Sequence, residues 1–183
     1  MTLSDVGVSE SRQLDALLYR GRELAKRTGE AVLVSGTVPV RESVDPIFLF
    51  DQGRLSHEKV TYWAKPGGRF VLVGLGQAVS IEDPEKLIRS WQQWLSAGLR
   101  EGPDEPGLGH VLFGGFSFDP LNEHTLLWSD FPAASFVLPE YLYTWREEQG
   151  WLTVNRFVSP QDEETELMAW VAKGWRWVQE GRL

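Results

Sequence analysis

Two pairs of apolar, β-branched runs in this chain are separated by too few residues to hold a helix, and that spacing constrains the fold more than any other feature. Val60-Thr61-Tyr62-Trp63-Ala64-Lys65 and Arg69-Phe70-Val71-Leu72-Val73 flank Pro66-Gly67-Gly68, whose proline fixes one φ and whose glycines permit positive φ. Residues 136–145 and 151–158 flank Glu147-Glu148-Gln149-Gly150. Strands joined by such turns pair antiparallel, because a parallel neighbour needs a crossover of a dozen residues or more.

The other elements fall around these hairpins. In residues 11–29, Leu14, Leu17, Leu18 and Leu24 recur at helical spacing opposite Arg12, Arg20, Arg22, Lys26 and Arg27, with Gly29 as the stop. Ala31-Val32-Leu33-Val34 and Ile47-Phe48-Leu49-Phe50 read as short strands broken by Ser35-Gly36 and Asp51-Gln52-Gly53. Asp83-Pro84 reads as an N-cap with proline in the first turn of a second helix, which buries Trp91 and Trp94 and ends at Gly98. Residues 102–107 are a loop, and residues 110–118 a strand. Ser159-Pro160 opens a final helix with Leu167, Trp170, Val171, Trp175 and Val178 on one face. The expectation is a single α+β domain over residues 1–183, antiparallel sheet packed with about three helices.

Composition narrows the partners. With 18 Lys+Arg against 26 Asp+Glu the net charge is −8, so no basic stripe offers itself to phosphates or anionic lipid, and neither nucleic acid nor membrane is expected as a partner. The chain has no cysteine, which excludes disulfides and thiolate metal sites and fits a reducing compartment such as the cytoplasm. No charged and apolar leader opens the chain, and no apolar run approaches the roughly 20 residues of a membrane helix. Nine tryptophans and nine phenylalanines are interleaved with aliphatic residues at strand or helix period, which is the pattern of core and interface.

Residue patterns alone yield no active site. Gly74-Leu75-Gly76 lacks the third glycine and the prompt helix of a dinucleotide loop. Ser117 in Gly115-Phe116-Ser117-Phe118-Asp119 lacks the second glycine and the helix of a nucleophile elbow. His57, His110 and His124 are scattered without metal-ligand spacing, and the acidic clusters at residues 101–105 and 162–166 read as a solvated loop and a dipole-compensating helix start.

The strand segments carry more than their periodicity. Tyr62-Trp63-Ala64-Lys65-Pro66, Leu112-Phe113-Gly114-Gly115-Phe116-Ser117-Phe118-Asp119, Phe131-Pro132-Ala133-Ala134-Ser135-Phe136-Val137-Leu138-Pro139-Glu140 and Leu152-Thr153-Val154-Asn155 occur in one order over residues 62–155. This series resembles the amino-terminal half of isochorismate synthases, within the chorismate-utilising enzymes. The motif positions Trp63, Gly114, Gly115, Phe116, Phe118, Asp119, Pro132 and Pro139 are expected to be structural or interfacial. The resemblance implies magnesium-dependent conversion of chorismate to isochorismate, for menaquinone or catechol-siderophore synthesis. A lysine would serve as general base, a glutamate as general acid, and further glutamates would hold magnesium against the substrate carboxylate. All of those residues lie in the family's carboxyl-terminal half, so none maps onto a position here, and the chain itself is expected to hold no catalytic residue, cofactor or metal. The related anthranilate synthases hold feedback tryptophan through a Leu-Leu-Glu-Ser signature, whereas Leu17-Leu18 is followed here by Tyr19-Arg20.

The resemblance therefore implies the non-catalytic amino-terminal domain of an isochorismate synthase, inactive alone, whose partner is the carboxyl-terminal chorismate-binding half. The alternative is a freestanding small-molecule or protein-binding module on the same fold. Two further expectations follow: glycines at 114 and 115 mark a bulge or a close backbone approach, and Trp177, off the apolar stripe of the last helix, belongs to a face open to the other half or to self-association.

Overall fold

The computed structural model describes residues 3–56, 58–118 and 132–183. Along the chain run α1 (Leu3–Thr28), β1 (Val32–Val40), α2 (Pro46–Leu55), β2 (Val60–Ala64), β3 (Phe70–Leu75), β4 (Val79–Ile81), α3 (Pro84–Ala97), β5 (Leu99–Glu101), β6 (Phe113–Phe116), β7 (Ala134–Leu138), β8 (Tyr141–Arg146), β9 (Gln149–Val158) and α4 (Glu164–Glu180). Six strands form one sheet in the order β2-β3-β8-β9-β1-β5, and three form a second in the order β4-β7-β6. The class is α+β, and every pairing is antiparallel except the short one between β1 and β5.

The turns set the registers. Lys65 accepts from the amide of Gly68, and the Pro66-Gly67-Gly68 turn places Trp63 opposite Leu72 and Ala64 opposite Val71. Between β8 and β9 the loop is two residues long, Glu147 and Glu148, both at positive φ (50° and 68°), with Arg146 opposite Gln149. That sign of φ is the primed-turn geometry matching the right-handed twist of a hairpin.

Each long strand of the larger sheet turns alternate residues to two faces. Val34, Val38, Val73, Tyr141, Tyr143, Leu152 and Val154 pack with Leu14, Leu17 and Leu18 of α1 and with Val171 and Val178 of α4 in one core. The approach of α1 is close enough that a Cβ on Gly21 would lie 2.3 Å from Val34 Cγ2, so the absent side chain is what lets the helix sit on β1.

The structure corrects several expectations here: the first strand runs through Ser35-Gly36 to Val40, and the last helix starts at Glu164, past Ser159-Pro160. Ile47-Phe48-Leu49-Phe50 is helical, within α2: Asp45 caps it, its Oδ1 accepting from the Ile47 amide at 2.8 Å, and Pro46 occupies the first turn. Leu49 and Gly53, four residues apart, form its buried face, with Gly53 closing onto Val60 and Leu75. Trp177 is also buried, and its Nε1 donates to the Leu49 carbonyl of α2 at 3.2 Å, because α4 packs against α2 on one flank and the sheet on another. Strand β6 spans four residues, since residues 107–109 carry two positive-φ glycines that hold the preceding segment in a loop. In α3, Asp83 caps as expected, accepting from the amides of Glu85 and Lys86, but Trp91 and Trp94 are half-buried and Ile88 and Leu95 exposed. Among the described residues no helix is long and apolar enough to cross a membrane.

Candidate functional site

The face of the larger sheet turned away from α1 and α4 carries polar side chains where a core would be apolar. From β1 come Ser35 and Thr37, from β8 Thr144, and from β9 Thr153 and Asn155, all buried. The register places Ser35 opposite Asn155 and Thr37 opposite Thr153. Ser35 Oγ donates to Asn155 Oδ1 at 2.8 Å, and Asn155 Nδ2 donates to the Pro139 carbonyl at 3.0 Å. The Thr37 and Thr153 hydroxyls meet at 2.8 Å. Threonine suits both demands, a β-branched fit to the strand and a hydroxyl that pairs across it.

The segment at residues 102–112 is seated on this ladder. Thr144 Oγ1 donates to the Gly107 carbonyl at 2.6 Å, and the Gly109 amide donates to Thr153 Oγ1 at 3.4 Å. Arg100 holds Asp104 at 3.0 Å and the Pro103 carbonyl at 3.0 Å, while Arg146 pairs with Glu105. His110 follows, its ring edge-on to Trp91 at 5.8 Å. Burial, helped by the Arg100 charge, pushes its pKa down to about 4, so the imidazole is neutral at pH 7.

The eight motif positions do not converge on one point. Gly114, Gly115 and Phe116 lie on β6, paired with Phe136, Ser135 and Ala134 of β7. A Cβ on Gly114 would stand 2.0 Å from the Ser135 carbonyl oxygen, whereas one on Gly115 would meet nothing within 4 Å. Phe116 is 65% exposed with its ring edge-on to Phe136 at 4.9 Å, and Phe118 is fully exposed. Asp119 lies outside the described residues, as do His57 and His124. Pro132 is exposed. Pro139 is buried where β7 hands over to β8, its ring beside Gly74 and its carbonyl on Asn155. Trp63 stands apart on β2, the outer strand of the other sheet, half-exposed and edge-on to Phe70 at 5.5 Å.

Next to Pro139 the structure assembles a charged cluster to which the sequence patterns assigned no role. Burial raises the carboxyl pKa of Glu140, and the nearby Glu58 adds to the rise against the opposing charges of Lys173 and Arg156. Lys173 Nζ donates to Glu58 at 2.6 Å, and Arg156 lies over the Trp170 ring and 3.3 Å from Asp162. Only tertiary contact between the β7–β8 corner and α4 brings these groups together, so no sequence signal announces them.

Chemically, this region offers buried hydroxyls, amides and aromatic faces. Among the described residues there is no group of three or more His, Asp or Glu side chains able to hold a metal ion.

Comparison with known proteins bears on the same residues. A family model described as "Chorismate binding enzyme" matches residues 18–182. The isochorismate synthase MenF of Bacillus subtilis (strain 168) is 31% identical over 147 residues, which cover 74% of this chain and 31% of that protein. The structure of MenF, the menaquinone-specific isochorismate synthase from Escherichia coli, aligns at a TM-score of 0.46 and 15% identity over 91% of this chain and 34% of that one. This chain thus spans about a third of the length of these relatives.

Proposed function

The chain belongs to the chorismate-binding enzyme family, and from that membership we propose that it is the amino-terminal, non-catalytic part of an isochorismate synthase acting in menaquinone biosynthesis in the cytoplasm. Its role is to present the β4-β7-β6 sheet and the exposed side of α3 to the chorismate-binding half, which supplies the general base, the general acid and the magnesium ligands. The observation that carries this reading is the 31% identity over 147 residues to an isochorismate synthase of which those residues make up 31%.

Two features of the structure support it. The buried ladder of Ser35, Thr37, Thr144, Thr153 and Asn155 fixes the sheet without offering a proton-transfer pair. Large apolar side chains are exposed on and just after β6 and on α3, where Phe116, Phe118, Ile88 and Leu95 face solvent, in the manner of surfaces that other protein covers. Trp177 is buried against α2 and so is not part of the surface proposed for the other half.

The test is a chorismate assay. Purified chain with chorismate and magnesium forms no isochorismate above the uncatalysed rate; turnover that a single substitution in the chain abolishes would overturn the assignment.

A further inference from the structure

We propose that residues 102–109 form a strap that lifts from the larger sheet as a unit, hinged at Gly102 and Gly109, and uncovers the threonines beneath it. The strap crosses three neighbouring strands on the polar face of the sheet, with one glycine at one threonine of each. Gly102 sits on Thr37 of β1, so closely that a Cβ there would stand 2.7 Å from the threonine Cβ. The Gly107 carbonyl accepts from Thr144 of β8, and the Gly109 amide donates to Thr153 of β9. All three glycines have positive φ (125°, 83° and 78°), which side chains rarely allow.

The attachments of the strap are of the kind that break first. Among the described residues no backbone–backbone hydrogen bond joins residues 102–109 to a strand; the bond from the Leu108 amide to the Glu105 carbonyl, 3.2 Å long, lies within the strap and travels with it. The tip is clamped by two ion pairs, Arg100 with Asp104 at 3.0 Å and Arg146 with Glu105, and Arg100 also donates to the Pro103 carbonyl at 3.0 Å. Asp104 is almost wholly exposed and Glu105 half-exposed, and ion pairs so open to solvent are weak and screened by salt. Leu108, buried, is the strap's aliphatic anchor.

A removable cover accounts for the polar seat. Under a permanent cover apolar side chains serve better, because a buried hydroxyl costs free energy unless it is paired. Thr37 and Thr153 bond to each other at 2.8 Å, so both stay satisfied when the strap leaves, and Thr144 exchanges the Gly107 carbonyl for water. Because the strap lies between β5 and β6, its lifting moves the start of the strand that carries the exposed Phe116, part of the surface proposed for the chorismate-binding half. The opening itself stands without that reading.

The chain has no cysteine, so a single introduced thiol reports its own exposure. In the full chain, Thr144→Cys places a thiol beneath the strap, and Val73→Cys places one in the core on the other face of the same sheet; both positions are fully buried. Iodoacetamide, followed by mass spectrometry, modifies the first at least about tenfold faster than the second, because local opening exposes only the first. Raising NaCl from about 0.02 M to about 0.5 M speeds the first several-fold and leaves the second unchanged. Arg146→Gln, which removes the clamp on Glu105, speeds the first likewise and blunts its salt response. If Thr144→Cys fails to fold, Thr37→Cys, beneath Gly102, carries the same readings. Equal rates for the two thiols, or a rate beneath the strap that responds neither to salt nor to Arg146→Gln, would overturn the proposal.

Discussion

Gly114 and Gly115 are neighbours on one strand, yet the structure assigns them opposite responses to the same substitution. A methyl group at position 114 would stand 2.0 Å from the Ser135 carbonyl oxygen and 2.7 Å from both Cα and Cδ1 of Phe136. Two of those three atoms are backbone of the paired strand β7, so relief requires β6 and β7 to separate. Forcing a methyl group into such a contact costs about 1–3 kcal/mol, against a gain of about 0.5–1 kcal/mol from replacing a strand glycine by alanine. Gly114→Ala is therefore destabilising by up to about 2.5 kcal/mol, with about 1 kcal/mol at the middle of the two ranges. At position 115 a Cβ meets nothing within 4 Å and φ is not positive, so only the propensity gain remains and Gly115→Ala is stabilising by about 0.5–1 kcal/mol. For a chain of this size each kcal/mol moves Tm by about 2–4 °C, which separates the two variants by several degrees in calorimetry. If the β4-β7-β6 sheet opens before the rest, hydrogen exchange at the β6 and β7 amides reports the same order: faster in Gly114→Ala, slower in Gly115→Ala. Equal shifts for the two variants, or a larger loss at 115, would refute the register and with it the close approach argued for the motif. Sequence reading alone gives both glycines the same part, a bulge or a close backbone approach; the structure confines the close approach to the first.

Trp177→Phe removes the donor to the Leu49 carbonyl and part of the buried ring, lowering stability by about 1–3 kcal/mol with no change in sedimentation, because the side chain sits inside the monomer. His110 titrates near 6.5 unfolded and near 4 folded, so between those values the unfolded chain binds more protons. Its contribution is complete above pH 6.5 and fades as pH falls toward 4, by about 3 kcal/mol, and His110→Gln flattens that part of the pH–stability curve. Asn155→Ala strands the Ser35 hydroxyl and the Pro139 carbonyl at about 1–3 kcal/mol each, and a double-mutant cycle with Ser35→Ala by urea denaturation returns a coupling of about 1 kcal/mol. A cycle that closes at zero would mean the two side chains do not meet.

Local chemistry made much of the fold readable. Pro66-Gly67-Gly68 located the β2–β3 hairpin, and Asp83-Pro84 located the start of α3. Asp45-Pro46 carries the same signal as Asp83-Pro84, but the four apolar residues that follow read as a strand. Only the spacing of Leu49 and Gly53, each buried by a different neighbour, identifies α2 as a helix. Trp177 fell outside the apolar stripe of α4 because a stripe records one partner, and α4 packs against α1, β9 and α2. The parallel pairing of β5 with β1 depends on where α3 returns the chain. The site was less legible than the fold: its hydroxyls are ordinary strand threonines until the register sets Thr37 against Thr153 and Ser35 against Asn155. The cluster of Glu140, Glu58, Lys173 and Arg156 joins residues up to 115 apart in sequence.

The central claim, that this chain supplies the non-catalytic part of an isochorismate synthase, is tested most directly by isochorismate formation in a chimera. The aligned region of the Bacillus subtilis isochorismate synthase MenF would be replaced by the matching region of this chain, leaving the remainder of that enzyme to supply the catalytic groups. The account predicts a chimera that melts cooperatively and converts chorismate to isochorismate in the presence of magnesium. A chimera that melts cooperatively and forms no isochorismate would contradict it.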